Sequence, residues 1–407
     1  MENLIVRALQ NNFTKRSESK FDSQDLTGGF VDFFGGVSRS GKAVTPSAAL
    51  SLSAVYNAID QISNDLAKLP KHVFKKIDGS REKFPEHPVD YLIGTRPNPI
   101  STQSAFTKSL MINALMFGNG IAVIEENKST GVPVAFHLVK QEDILSIKKT
   151  RNSIRYDIRG WGVLSHEDVI HITGFSFDGV IGVSVFRYAA GNLGASLSAE
   201  TFADENFKAK GMLAGLITTK KQLSGTAKSG LANAMEKRLS KGDTHNIGVL
   251  DEEMGFMPIA SNASEASLID WKKISIEDVA RWFNIAPHKI KHLANSTYSN
   301  IEQQSLEHGA DTIAPWVKKI EEEYNYKLFP KTDIGVVYVK FNMNALIRTD
   351  IKTKGEYYSR AVNFGWKTRN EIRILEDDNI LDGLDSPLQP ANTLTIEQIE
   401  KQEKDEK

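Results

Sequence analysis

The chain has 407 residues, a length that predicts two or three domains or one domain with large insertions. Of these residues 40% are hydrophobic and 25% are charged, which is typical of a water-soluble folded protein. Its 50 basic and 51 acidic residues nearly cancel, so net charge gives no sign of a protein that grips nucleic acid through phosphate ion pairs. The absence of cysteine excludes disulfides, thiolate nucleophiles and cysteine-ligated zinc. No signal-peptide pattern opens the chain and no apolar run reaches ~18 residues, so we expect a cytoplasmic protein without a membrane span.

Hydrophobic periodicity predicts a mixture of helices and strands in the first half of the chain. Residues 1–43 are polar and rich in Gly and Ser, which indicates a flexible arm. A helix is predicted from Pro46 to Leu69, and a second one, capped by Ser104, ends at Gly118-Asn119-Gly120. The strands predicted after it are Ile121–Glu125, Ala135–Val139, Ile144–Lys148, Ile154–Ile158 and Val169–Ile172.

The second half is mainly helical by the same criterion. Helices predicted at Val185–Lys210 and Ser264–Asn284 flank a small β-rich module at about residues 215–261. The two helices are therefore expected to pair as a rod, with the module at its end. A long helix from Ser299 to Phe329 follows, interrupted or bent at Pro315 because proline lacks a backbone N–H. The other predicted elements are a helix at Ala227–Leu239, strands at Leu216–Thr219, Asn246–Leu250, Phe256–Ile259 and Val336–Phe341, and short helices at Asp350–Phe364 and Thr368–Leu375.

Short motifs follow one another in a definite order along most of the chain. They are Val44-Thr45-Pro46, Leu69-Pro70, His87-Pro88, Arg96-Pro97-Asn98-Pro99, Leu115-Met116-Phe117-Gly118-Asn119-Gly120, Glu167-Asp168-Val169-Ile170-His171, Asp178-Gly179, Gly182-Val183-Ser184, Phe283-Asn284-Ile285-Ala286-Pro287, Ser299-Asn300-Ile301-Glu302-Gln303-Gln304, Arg348-Thr349-Asp350 and Thr368-Arg369-Asn370-Glu371-Ile372-Arg373. Each motif alone is weak, but the ordered set resembles the portal proteins of tailed bacteriophages, in the siphophage group with lambda-like capsids. Val185 stands where that family usually has proline, which bears on a local loop.

This resemblance implies an α+β portal fold with an α/β wing, a two-helix stem, a small β-rich clip, a long kinked tunnel helix and a small helical crown. The implied parts are a flexible N-terminal arm (1–43), the wing (44–188), stem helix 1 (189–214), the clip (215–261), stem helix 2 (262–288), a tunnel loop (289–299), the kinked tunnel helix with a return strand to the wing (300–347), the crown (348–385) and a disordered tail (386–407).

The resemblance also implies a function. Portals of this kind are rings, dodecamers in the virion, at one capsid vertex, where double-stranded DNA enters and leaves without sequence-specific contacts. The implied partners are further copies of the chain, DNA, the terminase large subunit, the head–tail adaptor, and the major capsid and scaffold proteins. The location would be the virion, after a stage in the host cytoplasm, and the chain would be no enzyme and need no cofactor.

The part of the implied tunnel loop from His292 to Tyr298 is short and uncharged beyond His292. Its residues expected to meet DNA are His292, Asn295, Ser296, Thr297 and Tyr298. Such side chains can line a DNA path without forming phosphate ion pairs, which would hold the DNA in place. A segment of this length is also the normal connection between two ordinary helices.

Residues 206–241 are the most one-sided charge segment, with eight basic residues and one acid, Glu236. Within them Lys220, Lys221, Lys237 and Arg238 are predicted to dock the packaging motor or the adaptor in the clip. The alternative is a solvated basic face without a partner.

One motif favours a different class of protein. Residues 36–42 fit the phosphate-loop pattern GxxxxGK, and Asp251-Glu252 resembles the acidic strand end of an ATPase, so a packaging ATPase is the alternative function. Against it, Ala43 follows Lys42 and supplies no hydroxyl for Mg²⁺. A capsid or tail structural protein without a channel is a third interpretation.

Histidines give the remaining candidate chemistry. His288 and His292 are four residues apart, with His308 nearby in sequence, which is a possible metal pair. A third ligand is not apparent, and neither a Ser–His–Asp pattern nor paired catalytic acids are found. The sequence therefore predicts no metal and no catalytic residues.

Overall fold

The computed structural model describes residues 36–37, 43–77, 80–151, 153–208, 215–219, 224–226, 229–230, 233, 254–258, 265–291, 306–346, 351–376 and 378–388. The chain divides into two compact units, Met1–Asn342 and Met343–Lys407. Among these residues, none of the helices combines the length and the apolar character that crossing a membrane requires.

The helices are short apart from two. They are α1 (Pro46–Ala49), α2 (Ser53–Ala67), α3 (Pro88–Gly94), α4 (Gln103–Phe117), α5 (Val185–Lys208), α6 (Glu265–Phe283), α7 (Ala314–Lys327), α8 (Ile351–Asn363) and α9 (Arg369–Leu375). Thr102 rather than Ser104 is the N-cap of α4, because its hydroxyl accepts the N–H of Ala105.

The strands form small antiparallel sheets. They are β1 (Gly36–Val37), β2 (Ala43–Val44), β3 (Lys71–Ile77), β4 (Ser80–Lys83), β5 (Asn119–Glu126), β6 (Pro133–Leu138), β7 (Ile144–Lys149), β8 (Ile154–Ile158), β9 (Gly162–Ser165), β10 (Val169–Thr173), β11 (Phe175–Ser176), β12 (Gly182–Val183), β13 (Gly215–Thr219), β14 (Met254–Pro258) and β15 (Val337–Phe341). Three sheets have three strands each, in the orders β15–β3–β4, β10–β5–β6 and β7–β8–β9.

The core of the first unit lies where α2 and α4 pack on one another and α4 packs on β5. Ile62 and Leu66 of α2, Leu110 of α4 and Ile121 of β5 are completely buried. A second cluster joins β5 and β10 to the sheet β7–β8–β9 through side chains such as Tyr156. Burial of these side chains is the main stabilising contribution, at roughly 1.5–3 kcal/mol for each large aliphatic group.

Helix α7 lies against the free edge of β15. The Glu321 carboxylate accepts the backbone N–H of Phe341 at 2.9 Å, and the Asn325 side chain accepts the N–H of Val339 at 2.6 Å. These are the N–H groups that point away from β3, because β15 pairs with β3 on its other side. Side chains of the helix therefore replace the missing neighbouring strand.

The opposite face of α7 forms hydrogen bonds with the open edge of β10. Lys327 donates to the carbonyl of Val169 at 2.7 Å, and Lys319 donates to that of Thr173 at 2.9 Å. Strand β10 is an edge strand of its sheet, since it pairs with β5 alone. One helix thus satisfies the open edges of two sheets and fixes them to each other.

A third edge, that of β6, is covered by the Pro97-Asn98 motif. The carbonyl of Pro97 accepts the N–H of Phe136 at 2.7 Å, and the Asn98 side chain donates to the Phe136 carbonyl at 2.7 Å. The same Asn98 accepts the N–H of Ser101 and so orders the turn before α4. The motif thus has a structural role.

The second unit is built around polar contacts. Thr368 and Glu371 form a capping box at the start of α9. Asn370 is buried, donates to the carbonyl of Leu381 and to the carboxylate of Asp385, and accepts the N–H of Leu381. The chain after α9 is therefore folded back along the helix by one asparagine.

Candidate functional site

The residues predicted to meet DNA, His292, Asn295, Ser296, Thr297 and Tyr298, lie outside the described residues, as do the predicted docking residues Lys220, Lys221, Lys237 and Arg238. The structure does describe the chain on both sides of segment 292–305. Before it come α6 and a 3₁₀ turn, Pro287–Ile290, and after it come a π-helical turn, His308–Ile313, and α7.

Helix α6 ends in a defined stop signal. Asn284 has a positive φ of 49°, the N–H of Ile285 bonds to the carbonyl of Ala280, and the N–H of Asn284 bonds to that of Arg281. This pattern is a Schellman motif, in which asparagine tolerates the left-handed conformation that glycine usually supplies. The predicted helix end at Phe283-Asn284 is confirmed.

Asn284 also joins the two sides of segment 292–305. Its side-chain amide donates to the carbonyl of Asp311 at 3.0 Å, and the hydroxyl of Thr312 donates to the carbonyl of Asn284. Because Pro315 has no N–H, the carbonyl of Asp311, four residues earlier, lacks its usual α-helical partner. The Asn284 amide donates to this carbonyl in place of the missing N–H. We call the two hydrogen bonds that join Asn284 to Asp311 and Thr312 the Asn284 clasp.

The irregularity predicted at Pro315 is the π-helical turn just before it. Helix α7 begins at Ala314, directly after the π-helical turn, so Pro315 is its second residue. A π-helical turn inserts one extra residue and is frequent at functional sites. Whether the helix axis bends at Pro315 stays a prediction.

His308, the first residue of the π-helical turn, is held by a buried hydrogen bond. Its Nε2 donates to the carboxylate of Asp65 on α2 at 2.8 Å, and both side chains are 2% exposed. Burial by itself raises the pKa of Asp65, but hydrogen bonds from His308, Lys68 and Gln61 outweigh it and lower the pKa to about 2. The carboxylate is therefore ionised at neutral pH, and the π-helical turn is anchored to α2.

The 3₁₀ turn on the other side is anchored to the same helix. Ile285, His288 and Ile290 are buried, and α2 contacts both this turn and the π-helical turn. Lys291 then leaves the turn with a left-handed φ of 63°. Segment 292–305 therefore starts and ends on one platform, made of α2 and the Asn284 clasp.

Helices α5 and α6, the predicted stem helices, pack against each other with antiparallel chain directions. Asn192 of α5 donates to Asp278 of α6 at 3.0 Å, and the hydroxyls of Ser196 and Ser275 are 2.6 Å apart. The residue numbers therefore rise along one helix and fall along the other, as two antiparallel stem helices require. The rest of the rod and most of the predicted clip fall outside the described residues.

The start of α5 is locked to the end of α4 by two glycines. Gly118 ends α4 with a positive φ of 82°, and a Cβ added to Gly182 would lie 1.8 Å from the carbonyl oxygen of Gly118. Ser184, at the entrance of α5, donates its hydroxyl to the carbonyl of Met116 at 2.6 Å. The Gly-Asn and Gly-Val-Ser motifs therefore mark one close backbone contact.

A buried polar chain supports this contact. Asn119 accepts the N–H of Gly182 at 2.8 Å and faces Nε2 of His171 at 2.9 Å, while Nδ1 of His171 faces the hydroxyl of Tyr156 at 2.9 Å. Because the Asn119 oxygen only accepts, Nε2 carries the proton and Tyr156 donates to Nδ1. Burial, aided by Lys327, lowers the pKa of His171 to about 3, so the ring stays neutral at physiological pH.

The predicted absence of metal chemistry rests on the sequence. Across the ranges that the structure describes, no three or more His, Asp and Glu side chains are grouped to hold an ion. Of the three histidines considered, His308 is engaged by Asp65, and His292 is outside the described residues.

The phosphate-loop alternative is contradicted by local geometry. Strand β1 pairs antiparallel with β2, in the register Gly36 to Val44 and Val37 to Ala43. A phosphate loop needs a strand, a loop and then a helix, whereas here the residue after Lys42 returns as a strand. The pairing also corrects part of the predicted flexible arm, because Gly36–Val37 is a strand.

Sequence reasoning did not identify Asp65 and Asn284 as parts of this site. Asp65 is 243 positions away from its partner His308 and carries no local signal. Asn284 did have one, since asparagine directly after a helical pattern is a common left-handed stop.

Comparisons with known proteins give one consistent result. A family model described as phage portal protein matches residues 53–377. The chain is 29% identical over 372 residues to a probable portal protein of Streptomyces phage phiC31, which covers 86% of this chain and 80% of that protein.

Solved structures show the same fold. The chain resembles a crystal structure of an HK97-family phage portal protein from Corynebacterium diphtheriae with a TM-score of 0.55 and 17% identity, covering 74% of this chain and 96% of that one. It also resembles a chain in the neck of a native gene transfer agent particle, computed with C12 symmetry, with a TM-score of 0.54 and 16% identity, covering 88% and 98%. The predicted α+β portal fold is confirmed.

Proposed function

The chain belongs to the phage portal protein family, and on that premise we propose that copies of it form a closed ring at one capsid vertex, through which double-stranded DNA passes. The C12 symmetry of the similar particle neck supports a ring of twelve subunits. A closed ring needs two different contact faces on every copy, which a single chain of this size can provide.

The platform under segment 292–305 carries the proposal for the channel. A loop that meets moving DNA needs fixed ends. Here the Asn284 clasp joins the two ends to each other, and the Asp65–His308 hydrogen bond holds them on α2. The loop residues His292, Asn295, Ser296, Thr297 and Tyr298 are uncharged apart from the titratable His292, so they line the DNA without forming phosphate ion pairs that would stop it.

The remaining parts of the proposal are those that the resemblance implies. The wing is residues 44–188, α5 and α6 belong to the stem, the clip is 215–261, and the crown is 348–385. Lys220, Lys221, Lys237 and Arg238 of the clip dock the terminase large subunit and later the head–tail adaptor. The ring meets major capsid and scaffold proteins around the vertex, after assembly in the host cytoplasm, and catalyses no reaction.

Electron microscopy of the purified full-length chain tests the ring. We expect top views with a central hole and about twelve-fold symmetry, as in the particle neck. A preparation that stays monomeric or dimeric at all concentrations, and that hydrolyses ATP in a way abolished by Lys42→Ala, contradicts the proposal.

The DNA contact is tested by crosslinking, because the chain has no cysteine of its own. Ser296→Cys carries a photoactivated crosslinker in particles that contain packaged DNA, and the matched control is Glu86→Cys on the exposed surface of the wing. We expect DNA adducts at position 296 well above those at 86. Equal yields would remove segment 292–305 from the channel while leaving the ring itself in place.

A further inference from the structure

The second unit has an unusual distribution of apolar side chains. Ala361 is completely buried, whereas Phe364 and Trp366 are 60% and 69% exposed and Ile374, Leu375 and Ile380 are 57%, 48% and 64% exposed. Its internal contacts are instead polar, through Asn370 and the capping box of α9. A 65-residue unit buries only a modest share of its surface, and large apolar side chains exposed together on such a unit are typical of an interaction site.

Five of the exposed apolar side chains form two sets at the two ends of α9, and Tyr357, Leu381 and Leu388 are exposed as well. The first set, which we call the leading face, is Phe364 and Trp366 just before α9. The second, the trailing face, is Ile374, Leu375 and Ile380 at and beyond its C-terminal end. Because α9 has seven residues, the two faces are separated by about 10 Å along the helix.

The leading face is rigid. Gly365, with a positive φ of 71°, closes α8 in a Schellman motif, in which the N–H of Trp366 bonds to the carbonyl of Ala361. The rings of Phe364 and Trp366 stack with centroids 5.8 Å apart. Large aromatic side chains carry about 150–250 Å² each, so this pair exposes roughly 200–300 Å² on a fixed frame. Such preorganised aromatic groups are typical energetic centres of protein interfaces.

The two faces also carry opposite charge. Arg360 and Lys367 are near the leading face in sequence, whereas residues 376–385, near the trailing face, hold five acids and no base. Within the second unit Glu376 accepts the hydroxyl of Tyr358 at 2.6 Å and Asp378 lies 3.9 Å from Arg373, so the trailing segment is acidic through its excess of carboxylates. A cleft of about 370 Å³ lies beside the leading face between α8 and α9, lined by Tyr358, Ser359, Val362, Asn363, Arg369 and Ile372. One face is therefore basic and aromatic with a cleft, and the other is acidic with protruding aliphatic groups.

We propose that the leading face of each copy packs against the trailing face of the next copy around the ring. This inference rests on the proposed ring. Two different but complementary faces on one unit are what a heterologous, closing contact requires, whereas a two-fold dimer would pair one face with itself. In this arrangement neighbouring copies cover the exposed apolar side chains of the two faces.

Crosslinking between copies tests the direction of the contact. In the full-length cysteine-free chain, Lys367→Cys and Asp378→Cys place one thiol beside each face. We expect a short bismaleimide to convert rings of the double variant into a ladder of covalent oligomers on a denaturing gel, and each single variant to stay essentially monomeric. Crosslinked monomers alone, or no crosslink in a preparation whose micrographs show rings, overturns the inference and leaves the proposed function standing.

Substitution tests the energetic role of the aromatic pair. Phe364→Ser with Trp366→Ser is expected to weaken ring assembly at least tenfold in the concentration needed, measured by mass photometry, while circular dichroism stays unchanged. Trp366→Phe should assemble normally, and Tyr91→Ser, a similarly exposed aromatic of the first unit, is the matched control. Unchanged assembly of the double variant contradicts the inference, whereas a wild-type chain that never forms rings contradicts the proposed function itself.

Discussion

The two units of the chain use apolar and polar residues in opposite ways. In the first unit, side chains such as Ile62, Leu66 and Ile121 are fully buried, and polar groups fix edges and helix ends around them. In the second, a polar hub at Asn370 holds the backbone while large apolar side chains face outward. The comparison separates a unit stabilised by its own apolar core from one with large exposed apolar side chains, which the proposed ring contact would cover.

The largest effect is expected where two backbones of the first unit touch. Gly182→Ala places a Cβ 1.8 Å from the carbonyl oxygen of Gly118, and neither backbone atom can yield without breaking the contact between α4 and α5. We expect a loss of about 4 kcal/mol or more in the free energy of unfolding, measured by denaturant titration. Gly191→Ala in α5 meets no atom within 4 Å and should stabilise the chain by about 0.5–1 kcal/mol. Equal changes in the free energy of unfolding at Gly182 and Gly191 would contradict the close contact between Gly182 and Gly118.

Substitution of Lys71 is expected to have the next largest effect, and it should raise the free energy of unfolding instead of lowering it. Burial lowers its pKa to about 7, although its Nζ donates to Thr107 at 2.8 Å. Between about pH 7 and 10.5 the folded chain binds fewer protons than the unfolded chain, so the free energy of unfolding rises with pH across this window. Below about pH 7 Lys71 is protonated in both states, and the full cost of burying its charge lowers the stability of the folded chain. Lys71→Met should raise the unfolding free energy at pH 7 by roughly 3 kcal/mol and flatten the pH dependence. The exposed Lys75→Met on the same strand should change it by less than about 0.5 kcal/mol.

Acid should weaken the platform under segment 292–305 by a smaller amount. The folded pKa of Asp65 is about 2, below its ordinary value of 3.8, so its contribution is present above pH 3.8 and is lost as pH falls towards 2. We expect protonation of Asp65 to lower the unfolding free energy by about 2 kcal/mol in this window. In Asp65→Asn this loss should be absent, because the side chain no longer titrates. Asp60→Asn on the same helix, at a less buried carboxylate, is the control. An unchanged acid slope in Asp65→Asn contradicts the role of the pair.

The smallest effect concerns the second unit alone. Asn370→Ala removes hydrogen bonds to Leu381 and Asp385 and should cost about 1–2 kcal/mol, confined to residues 369–388. Hydrogen exchange measured peptide by peptide should show faster exchange there and unchanged exchange in α2 and α4. Faster exchange throughout the chain would show that the two units do not unfold separately.

Elements with strong periodic patterns were predictable from the sequence. The strand at Ile154–Ile158, the helix stop after Phe283 and the capped helix after Thr368 are found as expected, because their signals are local. The predicted helix from Pro46 to Leu69 is two helices, separated at residues 50–52. Its apolar spacing continues through the break, so periodicity alone gave no sign of it.

Other features depend on residues that are remote in sequence. Asn119 and Gly120 were interpreted as a helix terminator, yet they are the first residues of β5 and are buried against Gly182 and His171. Glycine and asparagine mark loops and close backbone contacts alike, and only the tertiary neighbour decides between them. The pairing of Asp65 with His308 is invisible for the same reason.

The position of α7 has a consequence for a chain that meets many copies of itself. Open strand edges on identical molecules held side by side are templates for edge-to-edge pairing, the route to fibrous aggregates. The carboxylate and amide of α7 occupy the N–H groups of β15, its lysines occupy the carbonyls of β10, and Pro97 with Asn98 occupies β6. These contacts occupy backbone groups on three open edges and so reduce the tendency of identical copies to pair edge to edge.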